Sequence, residues 1–297
     1  MLFRQEGTLL KSTPNLQENI RIAPYTSMRV GGTVRRLYRP ESVEQLTDLV
    51  LSCREEGVPY LVIGNASNLL FPDEGYQGAV ISTVGIKELS LQGGKIVASC
   101  GVSLSALSVF AMEHGMDGLA FAYGIPGTVG GGVYMNAGAY GGEISDCLES
   151  ILALTKDGAI RTLSREELSL SYRHSRLQEE ELILLSATFR CEEGIPAEIK
   201  SVMDRNMASR KEKQPLEYPS CGSAFKRPAG HFAGALIQEA GLKGFSIGGA
   251  QVSEKHAGFV INKGGATAED VKALLAHVQK IVYENSGVLL EPEIRVL

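Results

Sequence analysis

The chain has 297 residues, 44% of them hydrophobic and 21% charged, which is material for two or three domains with real cores and an ordinary balance for a soluble globular protein. A formal net charge of −5 gives no basic field for a nucleic-acid backbone or an acidic membrane, so neither is an expected partner. The five cysteines, at 53, 100, 147, 191 and 221, are widely spaced and make no C-x-x-C pair, which argues against a disulfide framework or a zinc site and fits a reducing cytosol.

The opening Met1-Leu-Phe-Arg-Gln-Glu6 has an acidic residue before any apolar run and does not read as a signal peptide. Residues 30–40 read as a strand leading into Ser42-Val-Glu-Gln45, the capping-box start of a helix. Its apolar face is Leu46, Leu49, Val50 and Cys53, and Gly57 stops it. Tyr60-Leu-Val-Ile63 is a buried strand before the polar turn Gly64-Asn-Ala-Ser-Asn68, so this first part predicts a small βαβ unit. Further strands are expected at 79–82 and 96–100, and Ser103 caps a helix ending at Gly115. The uncharged stretches 96–112 and 118–142 are too rich in serine or glycine to span a membrane.

Then comes the most unusual segment. Eight of the nineteen residues from Gly124 to Gly142 are glycine, and none between Gly118 and Gly142 is charged. Backbone without Cβ atoms can take positive φ and converge its N–H groups on an anion such as a diphosphate; a glycine-rich turn between two strands is the alternative. Past it, Lys156-Asp-Gly158 signals a hairpin between strands at 151–155 and 159–162, and 183–190 supplies another strand. Glu192-Glu-Gly-Ile-Pro196 marks a boundary before a helical stretch at 197–212. A helix at 232–240 closed by Gly241 follows, then a strand at 258–262. The last helix opens at Thr267-Ala-Glu-Asp270 and buries Leu274, Leu275, Val278, Ile281 and Val282. The expected fold is α+β, divided near residues 84 and 196.

No G-x-G-x-x-G opens a helix after a strand, and there is no P-loop or H-E-x-x-H; the histidines at 114, 174, 231, 256 and 277 lack metal-ligand spacing, so no metal is expected. Eight motifs, however, occur in a telling order: Thr26-Ser-Met-Arg-Val-Gly-Gly32, Gly64-Asn-Ala-Ser-Asn-Leu-Leu70, Gly124-Ile-Pro-Gly-Thr-Val-Gly-Gly131, Asn136-Ala-Gly-Ala-Tyr-Gly141, Tyr172-Arg173, Gly222-Ser-Ala-Phe-Lys226, His256-Ala-Gly-Phe-Val-Ile-Asn-Lys-Gly-Gly265 and Leu290-Glu-Pro-Glu-Ile-Arg295. From about residue 24 to the end the chain resembles the UDP-N-acetylenolpyruvoylglucosamine reductase family, in the branch lacking an extra substrate-gating loop.

That resemblance implies a flavoenzyme of peptidoglycan precursor synthesis, with FAD held non-covalently and NADPH as electron donor. It also implies a two-subdomain flavin scaffold of the vanillyl-alcohol-oxidase type at 1–84 and 85–196. A substrate domain would follow at 197–297, its last strand, 290–297, returning to the active site. Reduction of the enolpyruvyl ether by conjugate hydride addition calls for an acid to protonate C2 and a cation or donor beside the developing enolate. By resemblance Ser223 is that acid, Arg173 the cation, and Glu293 the carboxylate that orients or polarises them. Read alone, Ser223 is a turn residue, Arg173 half of a surface ion pair and Glu293 a strand carboxylate easily confused with Glu291.

For the flavin the resemblance points to Ile63, Gly64, Asn65, Ala66, Ser67, Asn68 and Leu69, to Gly124, Ile125, Pro126, Gly127, Val129, Gly130 and Gly131, and to Asn136, Ala137 and Gly138, with Tyr172 beside the ring. Lys211, Lys213, Gln214 and Lys226 are candidate contacts for the sugar nucleotide, and a monomer acting on small molecules is expected. His256 and Asn262 are expected to brace the third domain. Two residues depart from the family pattern: Ala66 stands where glycine is usual and Arg227 where asparagine is, and positive φ at Ala66 would cost about 1 kcal/mol or more. The neighbouring Cys221 has no place in this chemistry.

Overall fold

A computed structural model describes residues 15–297; the opening Met1-Leu-Phe-Arg-Gln-Glu6, read as no signal peptide, lies outside the described residues. The chain forms two interleaved compact units. Of the described residues, the first takes 15–18, 35–65 and 77–208, and the second takes Asn19–Val34, Ala66–Tyr76 and Ser209–Leu297.

In the first unit, helix α1 (Val43–Glu55) begins where Ser42 Oγ accepts the Gln45 N–H at 3.2 Å and ends before Gly57 at φ +66°. Its Leu46, Leu49, Val50 and Cys53 are buried, which contributes about 1.5–3 kcal/mol for each large aliphatic side chain. The first sheet has the order Gln17–Arg21, Thr33–Tyr38, Tyr76–Ser82, Tyr60–Ile63, with the last two strands parallel. A second, antiparallel sheet runs Ile160–Ser164, Leu148–Leu154, Ile183–Phe189, Lys95–Ser99, Leu89–Gln92. The expected hairpin is there, closed by Thr155 N–H to Ala159 O at 2.9 Å with Gly158 at φ +83°. Helix α2 (Leu104–Glu113) has the expected Ser103 cap. One apolar cluster joins α1 (Leu46, Leu49), the first sheet (Tyr38, Ile81) and the second (Ile96, Ile151, Phe189).

The glycine-rich segment holds regular structure that its composition hides. Helix α3 (Val129–Tyr134) starts at Thr128, whose Oγ1 accepts the Gly131 N–H at 3.4 Å, and a single-turn helix α4 (Ile144–Cys147) closes the segment. Helix α5 (Pro196–Lys213) is the helical stretch expected at 197–212.

The second unit carries the sheet Ser220–Ser223, Phe259–Asn262, Ala250–Val252, Ser246–Ile247, with helices α6 (Ala233–Glu239) and α7 (Ala268–Ser286). Helix α7 has the full capping box of Thr267 and Asp270 and a left-handed Gly287 at its end. Leu274, Leu275, Val278 and Val282 are buried as expected, Val271 is buried as well, and Ile281 is half-buried. Residues far upstream complete this unit. Met28, Val30 and Leu70 enter its core, Asn262 Nδ2 donates to Met28 O at 3.1 Å, and the Asp73 carboxylate accepts the N–H groups of Ala268 and Glu269 at 2.8 and 3.0 Å. The C-terminal strand Arg295–Val296 lies parallel to Leu69–Leu70. Among the described residues no helix is long and apolar enough to cross a membrane.

Candidate active site

In the first unit, two of the flagged segments meet. Asn65 Nδ2 donates to Pro126 O at 3.2 Å, and a Cβ at Gly64 would lie 2.2 Å from Thr128 Oγ1, so only glycine allows this approach. The first N–H groups of α3 are engaged internally, Val129 to Val102 O at 2.8 Å and Gly130 to Cys100 O at 2.9 Å, which removes both amides from the expected set of ligand donors. By contrast, the backbone N–H groups of Asn65, Gly127 and Thr128 donate to no acceptor among the described residues. The same holds for the adjoining Ala66 and Ser67, with which the second unit resumes, so residues 65–67 present three consecutive open donors around an Ala66 at φ +46°. Successive N–H groups flanking a left-handed residue form an anion-binding concavity.

Arg173 lies in a tight turn where Ser171 and His174 exchange backbone hydrogen bonds at 3.2 and 3.0 Å. It is half-buried at φ +57°, unusual for a non-glycine residue. Its Nη2 donates to Gly138 O at 3.4 Å and its guanidinium sits 5.1 Å from the centre of the Tyr172 ring, which is itself 49% exposed. Buried Asn136 supports the turn, donating through Nδ2 to Ser171 O at 3.1 Å while its Oδ1 accepts the Ser145 N–H at 2.9 Å. The side-chain amide of Asn136 is thus engaged inside the protein, and its backbone N–H, one of the expected donors to the flavin, goes to Val133 O at 3.1 Å. Ser175 Oγ and Gln178 Nε2 both donate to Tyr134 O, at 2.7 and 2.8 Å, capping the last carbonyl of α3. Nothing in the sequence distinguishes Gln178.

In the second unit, Ser223 ends its strand and is exposed. Ser220 pairs with Ile261 and Ser223 with Phe259, so three steps on one strand oppose two on the other, a β-bulge with Gly222 at φ +76°. Glu293, more than sixty residues on, arrives beside it: its N–H donates to Ala224 O at 2.9 Å, and its carbonyl accepts from Asn68 Nδ2 at 3.0 Å. The sequence alone could not separate Glu293 from Glu291; in the structure the Glu291 carboxylate is ion-paired with Lys226. Lys226, an expected substrate contact, is therefore already engaged. Lys211 and Lys213 are exposed on α5, and Gln214 Oε1 is buried with no hydrogen-bond partner among the described residues.

Cys221 is buried, its Sγ directed to Leu69 O at 3.5 Å, and burial pushes the thiol up to about 12, which leaves no nucleophilic thiolate near neutral pH. His256 and Asn262 act as braces. His256 Nδ1 accepts the Gly258 N–H at 3.0 Å, and Asn262 Oδ1 accepts those of Gly264 and Ala266 at 3.0 and 3.2 Å.

Residues 34–164 match the FAD binding domain family, and residues 214–297 match the C-terminal domain of UDP-N-acetylenolpyruvoylglucosamine reductase. A UDP-N-acetylenolpyruvoylglucosamine reductase of Lactobacillus delbrueckii subsp. bulgaricus is 49% identical over 283 residues, covering 95% of each chain. One of Enterococcus faecalis is 46% identical over 290 residues, covering 98% of this chain and 96% of the other. The crystal structure of the enzyme of that name from Thermus caldophilus superposes with a TM-score of 0.81 at 37% identity, covering 93% of this chain and 97% of that one. With such identity sustained along nearly its whole length, the chain belongs to the UDP-N-acetylenolpyruvoylglucosamine reductase family.

Proposed function

We propose that the protein reduces UDP-N-acetylenolpyruvoylglucosamine to UDP-N-acetylmuramate in peptidoglycan precursor synthesis, with FAD as bound cofactor and NADPH as electron donor. The residues present fit a flavin dinucleotide: Gly64 is required by close packing on Thr128, and open N–H groups at Asn65, Gly127 and Thr128 suit a diphosphate. Bound FAD would supply hydride transfer between NADPH and the enolpyruvyl C3. Ile63 to Leu69, the 124–131 segment and residues 136–138 would hold it, with Tyr172 at the ring.

The protein's own task is to manage the charge that hydride addition leaves on C2 and its carboxylate. Ser223 Oγ gives the proton to C2. The planar guanidinium of Arg173 binds the carboxylate and enolate oxygens. Glu293 orients the acid. The observation that carries this reading is the Gly222-Ser223 bulge, which presents a hydroxyl one residue from the Ala224–Glu293 backbone bond and so brings the Ser223 and Glu293 segments side by side. Lys211 and Gln214 are the proposed contacts to the sugar nucleotide, and Lys226 would join them by exchanging Glu291 for a phosphate.

The change of sheet after Ser82 and the start of α5 at Pro196 support a division into flavin parts 1–84 and 85–196 and a substrate part 197–297. A cytoplasmic monomer completes the reading. The deciding experiment is an absorption spectrum of the purified protein, with flavin bands bleached by NADPH and restored anaerobically by UDP-N-acetylenolpyruvoylglucosamine. A flavin that NADPH bleaches and the nucleotide leaves bleached would overturn the assignment of substrate.

A further inference from the structure

Arg173 is the one proposed catalytic residue whose own backbone is strained. A left-handed conformation costs a non-glycine residue about 1–2 kcal/mol, and such conformations persist only where the surroundings over-determine them. The surroundings here can be named. Gln178 Nε2 donates at once to Tyr134 O at 2.8 Å and to Arg173 O at 3.1 Å, two carbonyls matched to the two hydrogens of one amide. The first of these is the end of α3, whose opposite end is fixed by Thr128 beside Gly64. The second is the peptide carbonyl of the strained arginine. Gln178 is half-buried and touches α3 and the arginine turn together, whereas Ser175, the other cap on Tyr134 O, leaves Arg173 O untouched.

We infer that Gln178 is a positioning residue, a two-pronged clamp that ties the left-handed backbone of Arg173 to the end of helix α3 and thereby fixes where the guanidinium points. The inference rests on the catalytic reading of Arg173. It goes beyond that reading in giving a role to a side chain outside the eight motifs. Asn136, holding the carbonyl of Ser171 at the other side of the same turn, is the second arm of the clamp.

The test uses the holoenzyme in anaerobic rapid-mixing experiments that separate flavin reduction by NADPH from reoxidation by UDP-N-acetylenolpyruvoylglucosamine. Gln178→Met and Gln178→Glu both remove the amide donor while keeping length, and Glu also keeps the shape. Both are expected to reoxidise at least tenfold more slowly with reduction by NADPH within twofold of wild type, whereas Ser175→Ala, which removes only a cap on α3, should reoxidise within twofold. In an Arg173→Ala background, adding Gln178→Met should change reoxidation by less than twofold, because the clamp acts only through the arginine.

Wild-type reoxidation in both Gln178 variants, while Arg173→Ala is slow, overturns the clamp and leaves the role of Arg173 intact. An effect that multiplies with that of Arg173→Ala, or one matched by Ser175→Ala, overturns it as well, since either reports general damage to α3. Normal reoxidation in Arg173→Ala itself removes the catalytic reading beneath it. Gln178→Glu, isosteric with the native side chain, with its melting temperature recorded, guards against a variant that merely misfolds.

Discussion

The Arg173 turn and the Ser223 bulge solve one problem in opposite ways. Each must aim a side chain that regular structure would point elsewhere. At the bulge a separate residue, Gly222 at φ +76°, takes the left-handed conformation, where glycine suffers no steric penalty, and Ser223 follows in an ordinary strand. At the turn the arginine takes the conformation itself, and hydrogen bonds from Gln178 and Asn136 hold its neighbourhood in place. The contrast teaches where sensitivity lies. The bulge should depend on one glycine and the turn on a network.

Ser223→Ala is the largest expected break. If the hydroxyl is the proton donor, reoxidation of the reduced flavin by substrate should slow by about 10²–10⁴-fold, the usual worth of a positioned acid, while reduction by NADPH is nearly unchanged. Equal losses in the two half-reactions would remove Ser223 from the chemistry.

Arg173→Lys comes next. The charge survives, but the fork that meets two oxygens at once does not. A lost charged hydrogen bond is worth about 1.5–3 kcal/mol, so kcat is expected to fall roughly tenfold to a hundredfold. Turnover indistinguishable from wild type would show that a point charge suffices and that the planar fork has no function.

Gly222→Ala sharpens the comparison from the other side. A Cβ at this position meets nothing within 4 Å, so only the backbone conformation resists the change, at about 1–2 kcal/mol. Denaturant unfolding should show a loss of that size together with slowed reoxidation, because the bulge aims Ser223. A variant as stable and as fast as wild type would mean the bulge is incidental.

These contrasts also show what the sequence made legible. Helix starts were readable because a cap and its partner lie three residues apart, as with Ser42 and Gln45, Ser103 and Ala106, or Thr267 and Asp270. The cap that Asp73 places on α7 was not, since its acceptors and donors are separated by 195 residues or more. For the same reason Met28, Val30 and Leu70 gave no sign that they would enter the core of the second unit. Helix α3 was hidden because three glycines in six residues contradict intrinsic helix preference, and it stands on tertiary contacts such as Gly130 N–H to Cys100 O. At the site, motif resemblance picked out Ser223 and Glu293. Only the fold puts Glu293 across from Ala224 and consigns Glu291 to Lys226.

Ala66 tests the rule with the sign reversed. It takes φ +46° where the family pattern has glycine, in the middle of the three open amides. Ala66→Gly relieves steric strain but adds freedom to the unfolded chain, and the first term is the larger, so a net gain of a few tenths to about 1 kcal/mol is expected. Denaturant unfolding of the flavin-free protein reads this directly; a loss of stability would show that the Ala66 methyl group, buried to 4% exposure, contributes more by packing than its backbone loses.

The smallest effect belongs to a brace outside the proposed chemistry. Burial first, and Lys243 to a lesser extent, hold the His256 imidazole below its ordinary value, and its Nδ1 is engaged as acceptor for the Gly258 N–H. The folded form therefore keeps the ring neutral, while the unfolded chain binds a proton near pH 6.5. Between that value and the lower folded one the unfolded state carries more protons, so stability rises with pH across this window. The contribution is intact above about pH 6.5 and is lost progressively as the solution is acidified. His256→Asn keeps an acceptor at the Nδ1 position and cannot titrate. Unfolding measured from pH 5 to 8 should accordingly show a shallower slope in this variant than in wild type. Parallel curves would mean that the imidazole holds the same proton affinity folded and unfolded, and that the hydrogen bond from Gly258 adds nothing to stability.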